Sequence, residues 1–203
     1  MIELRVLELL CARFCHEMVS PVGAIGNGVE LLDEDDPEFV KQAIQLIGQS
    51  ARTASRRLQF YRFAYGTAPT ASGVTPRELL MAFLEGGKVT ADWEAAVSTL
   101  SSEWQRLACN LAVVAMEMLP RGGRIALRSA GTAAPGLEVE ASGDAVLVNK
   151  DVVAALAGGV SATELTSRTI HGHVTAKFAE QLGVAATLSE SGPSRAMLVA
   201  SER

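Results

Sequence analysis

The strongest constraint in this 203-residue chain is a stripe of apolar and small residues, spaced by three and four, that runs from residue 2 to residue 32 with Pro21 as its only proline. Leu7, Cys11, Phe14, Met18, Val22, Ile25, Val29 and Leu32 carry it, and such spacing marks one face of a helix. At a rise of about 1.5 Å per residue the helix would be on the order of 45 Å long, a length that belongs to a bundle or coiled coil. Asp36 followed by Pro37 fits an N-cap and first-turn proline for a second helix. Phe39, Ala43, Leu46, Ile47, Ser50, Ala54, Leu58 and Tyr61 then repeat the stripe to about Tyr65. The two helices form an antiparallel hairpin that leaves much of each stripe uncovered. Pairing with a second copy would bury both, which predicts a homodimer closed as a four-helix bundle.

The small-residue stretch 66–73 reads as a linker, giving a hairpin domain at 1–66, a linker at 67–73 and a second domain at 74–203. Thr75, Pro76 and Glu78 form a capping box for a helix to about Glu85. Short alternating runs follow near 88–93 and 96–100, then a helix at 102–119 and strands near 124–129 and 137–141. Helical spacing returns near 152–156 and 170–182, before strands near 184–189 and 196–200. The fold class expected is therefore α plus α/β, with the second domain a layer of helices on a mixed sheet.

Composition narrows the function classes. A net charge of -5 argues against nucleic acid or anionic membrane as partner, because both need a basic field. Glu3, Arg5 and Glu8 interrupt the first apolar residues, so no signal peptide is expected there, and the apolar run 107–119 is too short to span a bilayer. Three cysteines without framework spacing point to reduced thiols and a cytoplasmic setting.

His16 lies about 200° around the helix from Phe14 and Met18, which takes it off the apolar stripe and toward solvent. Arg13, Ser20, Gly23 and Asn27 share its face. An exposed neutral imidazole is a nucleophile that a large partner can reach, and Glu17 is positioned in sequence to support it as a carboxylate. Pro21 lacks the N–H that would bond the Glu17 carbonyl, so a bend is expected one turn past His16. The hairpin brings Arg52, Arg56 and Arg57 roughly level with His16, where they could pair with a phosphoryl group or with a partner's acidic pocket.

The run from Ala12 to Ile25, centred on His16-Glu17 and continuing through Gly26-Asn27-Gly28 to Leu32, resembles the H-box of histidine kinases. It resembles more closely the ChpT-type histidine phosphotransferases, as does 50–63 on the second helix. The resemblance implies a histidine-kinase-like α/β sandwich after the hairpin. It also implies that His16 is the phosphoacceptor, with Glu17 as supporting carboxylate and Arg13, Ser20, Pro21, Asn27, Arg52, Arg56 and Arg57 around the docking partner. Asn110-Leu111 to Ala115 and 120–125 are similar to the N-box helix and following strand of a kinase ATP domain. There Val114 replaces a second asparagine, no Asp-x-Gly-x-Gly occurs, and one glycine, Gly172, remains in the last glycine box.

The resemblance therefore implies a relay without ATP. The receiver domain of a CckA-like hybrid histidine kinase would load His16, and CtrA-like and CpdR-like response regulators would unload it. No cofactor is expected on this chain, and Mg²⁺ would sit on the partner receiver. The rival reading is a non-catalytic dimeric scaffold for two-component proteins. Cys11-x-x-x-Cys15-His16 lacks a fourth metal ligand and reads as thiols on a bundle seam, and His171-Gly172-His173 reads as a surface or helix-start segment.

Overall fold

The computed structural model describes residues 3–66, 73–131 and 135–202, so most of the expected linker lies outside the described residues. Helix α1 (Leu4–Glu30) runs through Pro21 without a break and ends in a 3₁₀ turn, Leu31–Asp33. Helix α2 (Pro37–Ala64) begins as its sequence dictates. Pro37 occupies the first turn, where a missing N–H costs nothing, and the Asp36 carboxylate accepts from the Glu38 N–H at 2.8 Å. Gly28 marks the close approach of the two helices. A Cβ there would lie 2.6 Å from Ile47 Cγ1 and 3.4 Å from the Ala43 carbonyl, whereas Gly23 and Gly26 face open space. Gly28→Ala is accordingly expected to cost about 1–3 kcal/mol through overpacking, read as a lower urea midpoint. Gly26→Ala should leave that midpoint equal or higher, since alanine is the better helix former.

Beyond the hairpin come α3 (Pro76–Leu84), β1 (Val89–Trp93), α4 (Ser102–Glu117), β2 (Gly123–Ala130) and β3 (Gly136–Ser142). Then follow α5 (Lys150–Leu156), α6 (Ile170–Gln181), β4 (Val184–Glu190) and β5 (Arg195–Glu202). The strands form one mixed sheet in the order β1-β2-β3-β5-β4, with β1 and β2 parallel and the other pairs antiparallel. Register sorts the two faces. Leu127 pairs with Val139 and Val139 with Leu198, all buried, while the alternating Glu138 and Glu140 stay half-exposed. Helices α4, α5 and α6 pack on this sheet.

The alternating run at 96–100 is not a strand. Residues Ala95–Thr99 form a 3₁₀ turn, in which the Thr99 hydroxyl donates to the Ala96 carbonyl at 2.7 Å and Trp93 Nε1 donates to Ser98 Oγ at 2.8 Å. Side-chain hydrogen bonds to the local backbone outweigh the alternation there.

The hydrophobic core crosses the expected domain boundary. Phe60, Phe63 and Ala64 at the end of α2 are buried in the same cluster as Leu80, Leu111, Ile125, Leu137 and Leu198. Leu9 of α1 packs separately with Ala155, Ala162, Leu165 and Ile170. The open end of the hairpin is thus built into the second domain. Farther along, Val19, Val22, Val29, Phe39, Ile44, Leu46 and Leu58 remain exposed on the single chain. Among the described residues no helix is long and apolar enough to cross a membrane.

Candidate functional site

His16 sits at mid-length of α1, exposed, and its ring makes no hydrogen bond or ion pair among the described residues. Ser20 and Asn27 are exposed on the same helix. Pro21 is buried rather than presented to a partner. The carbonyl that Pro21 leaves without an intrahelical donor, that of Glu17, accepts instead from Arg57 Nη1 of α2. A helix can therefore carry proline one turn after His16 without bearing an unmatched buried carbonyl.

Glu17 does not bond the His16 ring. Successive residues of a helix point about 100° apart, and the Glu17 carboxylate faces inward to Arg57 at 3.3 Å and Arg13 at 3.5 Å. Arg13, expected on the open face with His16, is half-buried and bonds Glu117 Oε1 of α4 at 2.9 Å. The same carboxylate oxygen meets Nδ1 of His171 at 3.0 Å. Arg13 and Glu17 of α1, Arg57 of α2 and Glu117 of α4 thus form one continuous ionic network that begins one residue from His16, with the His171 ring of α6 against its far end.

An aromatic layer lies against this network. Phe14 stacks on Tyr61 with centroids 4.7 Å apart, and Tyr65 stacks on the His171 ring at 5.7 Å. Burial, and then the Glu17 carboxylate, push the Tyr61 phenol well above its ordinary range, and burial does the same for Tyr65. Both phenols stay neutral at working pH. They supply a low-polarity wall that strengthens the ion pairs beside it.

The three arginines of α2 differ in their surroundings. Arg57 is committed to Glu17, Arg56 bonds Glu85 at 2.8 Å, and Arg52 is exposed without an ion pair among the described residues. With Lys88 and the turn at Gly86-Gly87 they line a cleft of about 460 Å³ between α2 and the loop after α3. Arg56 and Lys88 give that cleft a basic wall.

Residues at the kinase-like positions are engaged in packing and in hydrogen bonds within the fold. The Asn110 amide nitrogen donates to the carbonyls of Ala64 and Arg106, both at 2.9 Å, so the side chain closes the last turn of α2. Val114 is fully buried. Gly172 packs against α5, where an added Cβ would meet the Val152 carbonyl at 3.2 Å. His171, expected at the surface or at a helix start, is on the first turn of α6 but only 2% exposed. No cluster of three or more His, Cys, Asp or Glu able to hold a metal occurs among the described residues.

Glu117 and His171 are the members of the network that reading the sequence did not assign. The available signal was a lone carboxylate within the apolar run 107–119, but its partners lie 104 and 54 residues away. The cysteines divide in a testable way. Cys11 and Cys15 are exposed on the single chain rather than buried, while Cys109 is fully buried in α4, and burial pushes its thiol far up. Thiolate is the reactive form, so Cys109 is expected to resist iodoacetamide in the native protein and to label only in denaturant, as followed by mass spectrometry.

A model of the histidine phosphotransferase C-terminal domain family matches residues 75–194. Over 182 residues the chain is 32% identical to the protein phosphotransferase ChpT of Brucella abortus (strain 2308), covering 87% of this chain and 86% of that protein. A bacterial phosphotransferase whose structure was solved at 1.7 Å aligns over 99% of this chain and 98% of its own, with a TM-score of 0.77 and 27% identity.

Proposed function

This chain belongs to the histidine phosphotransferase family, and from that premise we propose that it relays phosphoryl groups between receiver domains through His16, without ATP. The observation that carries the reading is the exposed and unengaged His16 imidazole at mid-length of α1 in a chain of this family. In the forward step the lone pair of a neutral imidazole nitrogen attacks the phosphorus of a receiver's aspartyl phosphate. The N–P bond forms as the P–O bond breaks, returning the carboxylate, and the reverse step loads the next receiver. The loading receiver belongs to a CckA-like hybrid kinase and the accepting ones to CtrA-like and CpdR-like regulators. Mg²⁺ stays in the receiver's acidic pocket, so this chain contributes the nucleophile and the surface that aligns it.

The commitment of Asn110, Val114 and Gly172 to packing supports transfer without a nucleotide. The exposed apolar side chains of the hairpin support a homodimer, since a second copy would remove from water the face that carries Val22, Val29 and Ile44. Exposed Arg52 and the Arg56 side of the cleft suit the acidic rim of a receiver, and Ser20 and Asn27 extend that surface along α1. On this reading the relay works among cytoplasmic two-component partners.

The test incubates the protein with a phosphorylated receiver and Mg²⁺, and in parallel with labelled ATP alone. Acid-labile label from the receiver and none from ATP is the expected result. Label from ATP alone would make the chain a kinase. Capture of receivers with no transfer in either arm would make it a scaffold.

A further inference from the structure

His171 is nearly buried, yet its Nδ1 is aimed at a carboxylate of another helix, and that carboxylate also holds Arg13, three residues before His16 on α1. We propose that Glu117, oriented by His171, is a positioning residue for the transfer site: through Arg13 it holds the Glu17 carboxylate inward, so that the second domain sets the charge environment of His16. The inference rests on the relay reading of His16.

The geometry runs in one direction. The Tyr65 ring and Nδ1 contact fix His171, and the Nδ1 contact fixes Glu117 Oε1 at 3.0 Å. Glu117 Oε1 draws Arg13 Nη2 to 2.9 Å, closer than the 3.5 Å that separates Arg13 from its own helical neighbour Glu17. Glu17 is then shared between Arg13 and Arg57, and Arg57 is anchored by the carbonyl that Pro21 frees. Two carboxylates and two guanidiniums balance. Removing the Glu117 charge leaves one positive charge uncompensated in a partly desolvated setting, and Arg13 must turn wholly to Glu17 or outward toward His16. Either move changes what an incoming phosphoryl group meets. The domain that resembles a kinase ATP domain would thereby keep a part in the chemistry without a nucleotide.

The experiment uses the full-length protein and single-turnover transfer from a phosphorylated receiver over a series of receiver concentrations. Glu117→Gln and Arg13→Gln are each expected to slow the limiting rate by roughly tenfold, the scale of a misaligned transfer site, with the half-saturating receiver concentration unchanged. The double variant should be no slower than either single one, because both act through Glu17. Independent, multiplicative losses, or a change confined to half-saturation, would overturn the proposal.

A second readout needs no transfer. The side-chain Nε–Hε resonance of Arg57, which touches Glu17 and not Glu117, should shift in the ¹H–¹⁵N spectrum of Glu117→Gln. An unmoved Arg57 signal in a folded variant breaks the chain of contacts and sinks the proposal even if His16 carries phosphate. Wild type that accepts no phosphate from any receiver defeats the relay reading instead, so the two failures are distinct.

Discussion

His16→Ala is expected to accept no phosphate from a receiver that labels the wild type, while retaining wild-type helicity and thermal midpoint. The expectation of complete rather than partial loss comes from the other imidazoles. The chain has three histidines. His171 is 2% exposed, with Nδ1 on Glu117 and its ring stacked on Tyr65, so no receiver aspartate can reach it. His173 is half-buried on α6 and lines a cavity against the first turns of α1. An in-line transfer needs donor and acceptor atoms within about 3–3.5 Å, and a folded receiver cannot enter that space. Because His16 makes no contact that folding depends on, its removal should cost little stability. Residual acid-labile label on the variant, mapped by mass spectrometry to α6, would overturn the assignment of the acceptor.

Phe60→Ala should carry the largest stability cost of any single change at the hairpin's root, about 3–5 kcal/mol by analogy with other buried aromatic truncations. Its ring is fully buried, stacks on Phe83 at 4.2 Å and meets Tyr61 edge-on at 5.8 Å. The diagnostic feature is where the loss is felt. Both tryptophans, Trp93 and Trp104, belong to the second domain's side of the core cluster. If the end of α2 and the sheet domain form one cooperative unit, tryptophan fluorescence and far-UV circular dichroism should shift together in urea. A tryptophan transition that stays at its wild-type midpoint would show that the hairpin unfolds alone.

Acid should weaken the fold at its helix caps. Glu78 is held below its ordinary 4.5, first by the Thr75 backbone N–H and then by the Thr75 hydroxyl, and Glu164 is lowered first by the Ser161 hydroxyl and then by the Ser161 backbone N–H. A carboxylate whose pKa is depressed on folding contributes stability above its unfolded value and loses it as pH falls through the folded one. Urea midpoints should therefore decline as pH drops below 4.5, and Glu78→Gln should show a shallower decline.

Much of this was legible along the chain because the determinants are local. The stripe from Leu7 to Leu32, the Asp36-Pro37 restart and the Thr75–Glu78 capping box each depend on residues within one or two turns. They fixed the long hairpin and most of the later elements, as well as the outward position of His16. The run at 96–100 misled because hydroxyl-to-backbone bonds compete with alternation. The inward turn of Glu17 was not legible because its guanidinium partners, Arg57 above all, come from packing between helices. The sequence by itself determined that there would be two long helices, an α/β layer and an exposed histidine, since periodicity and capping act at short range. Only the tertiary structure decided that α2 ends inside the second domain's core, that Asn110 closes that helix, and that Glu117 and His171 reach Glu17 through Arg13. Those outcomes depend on which distant groups share a buried space, where an unpaired charge or carbonyl is costly, and no local pattern encodes that.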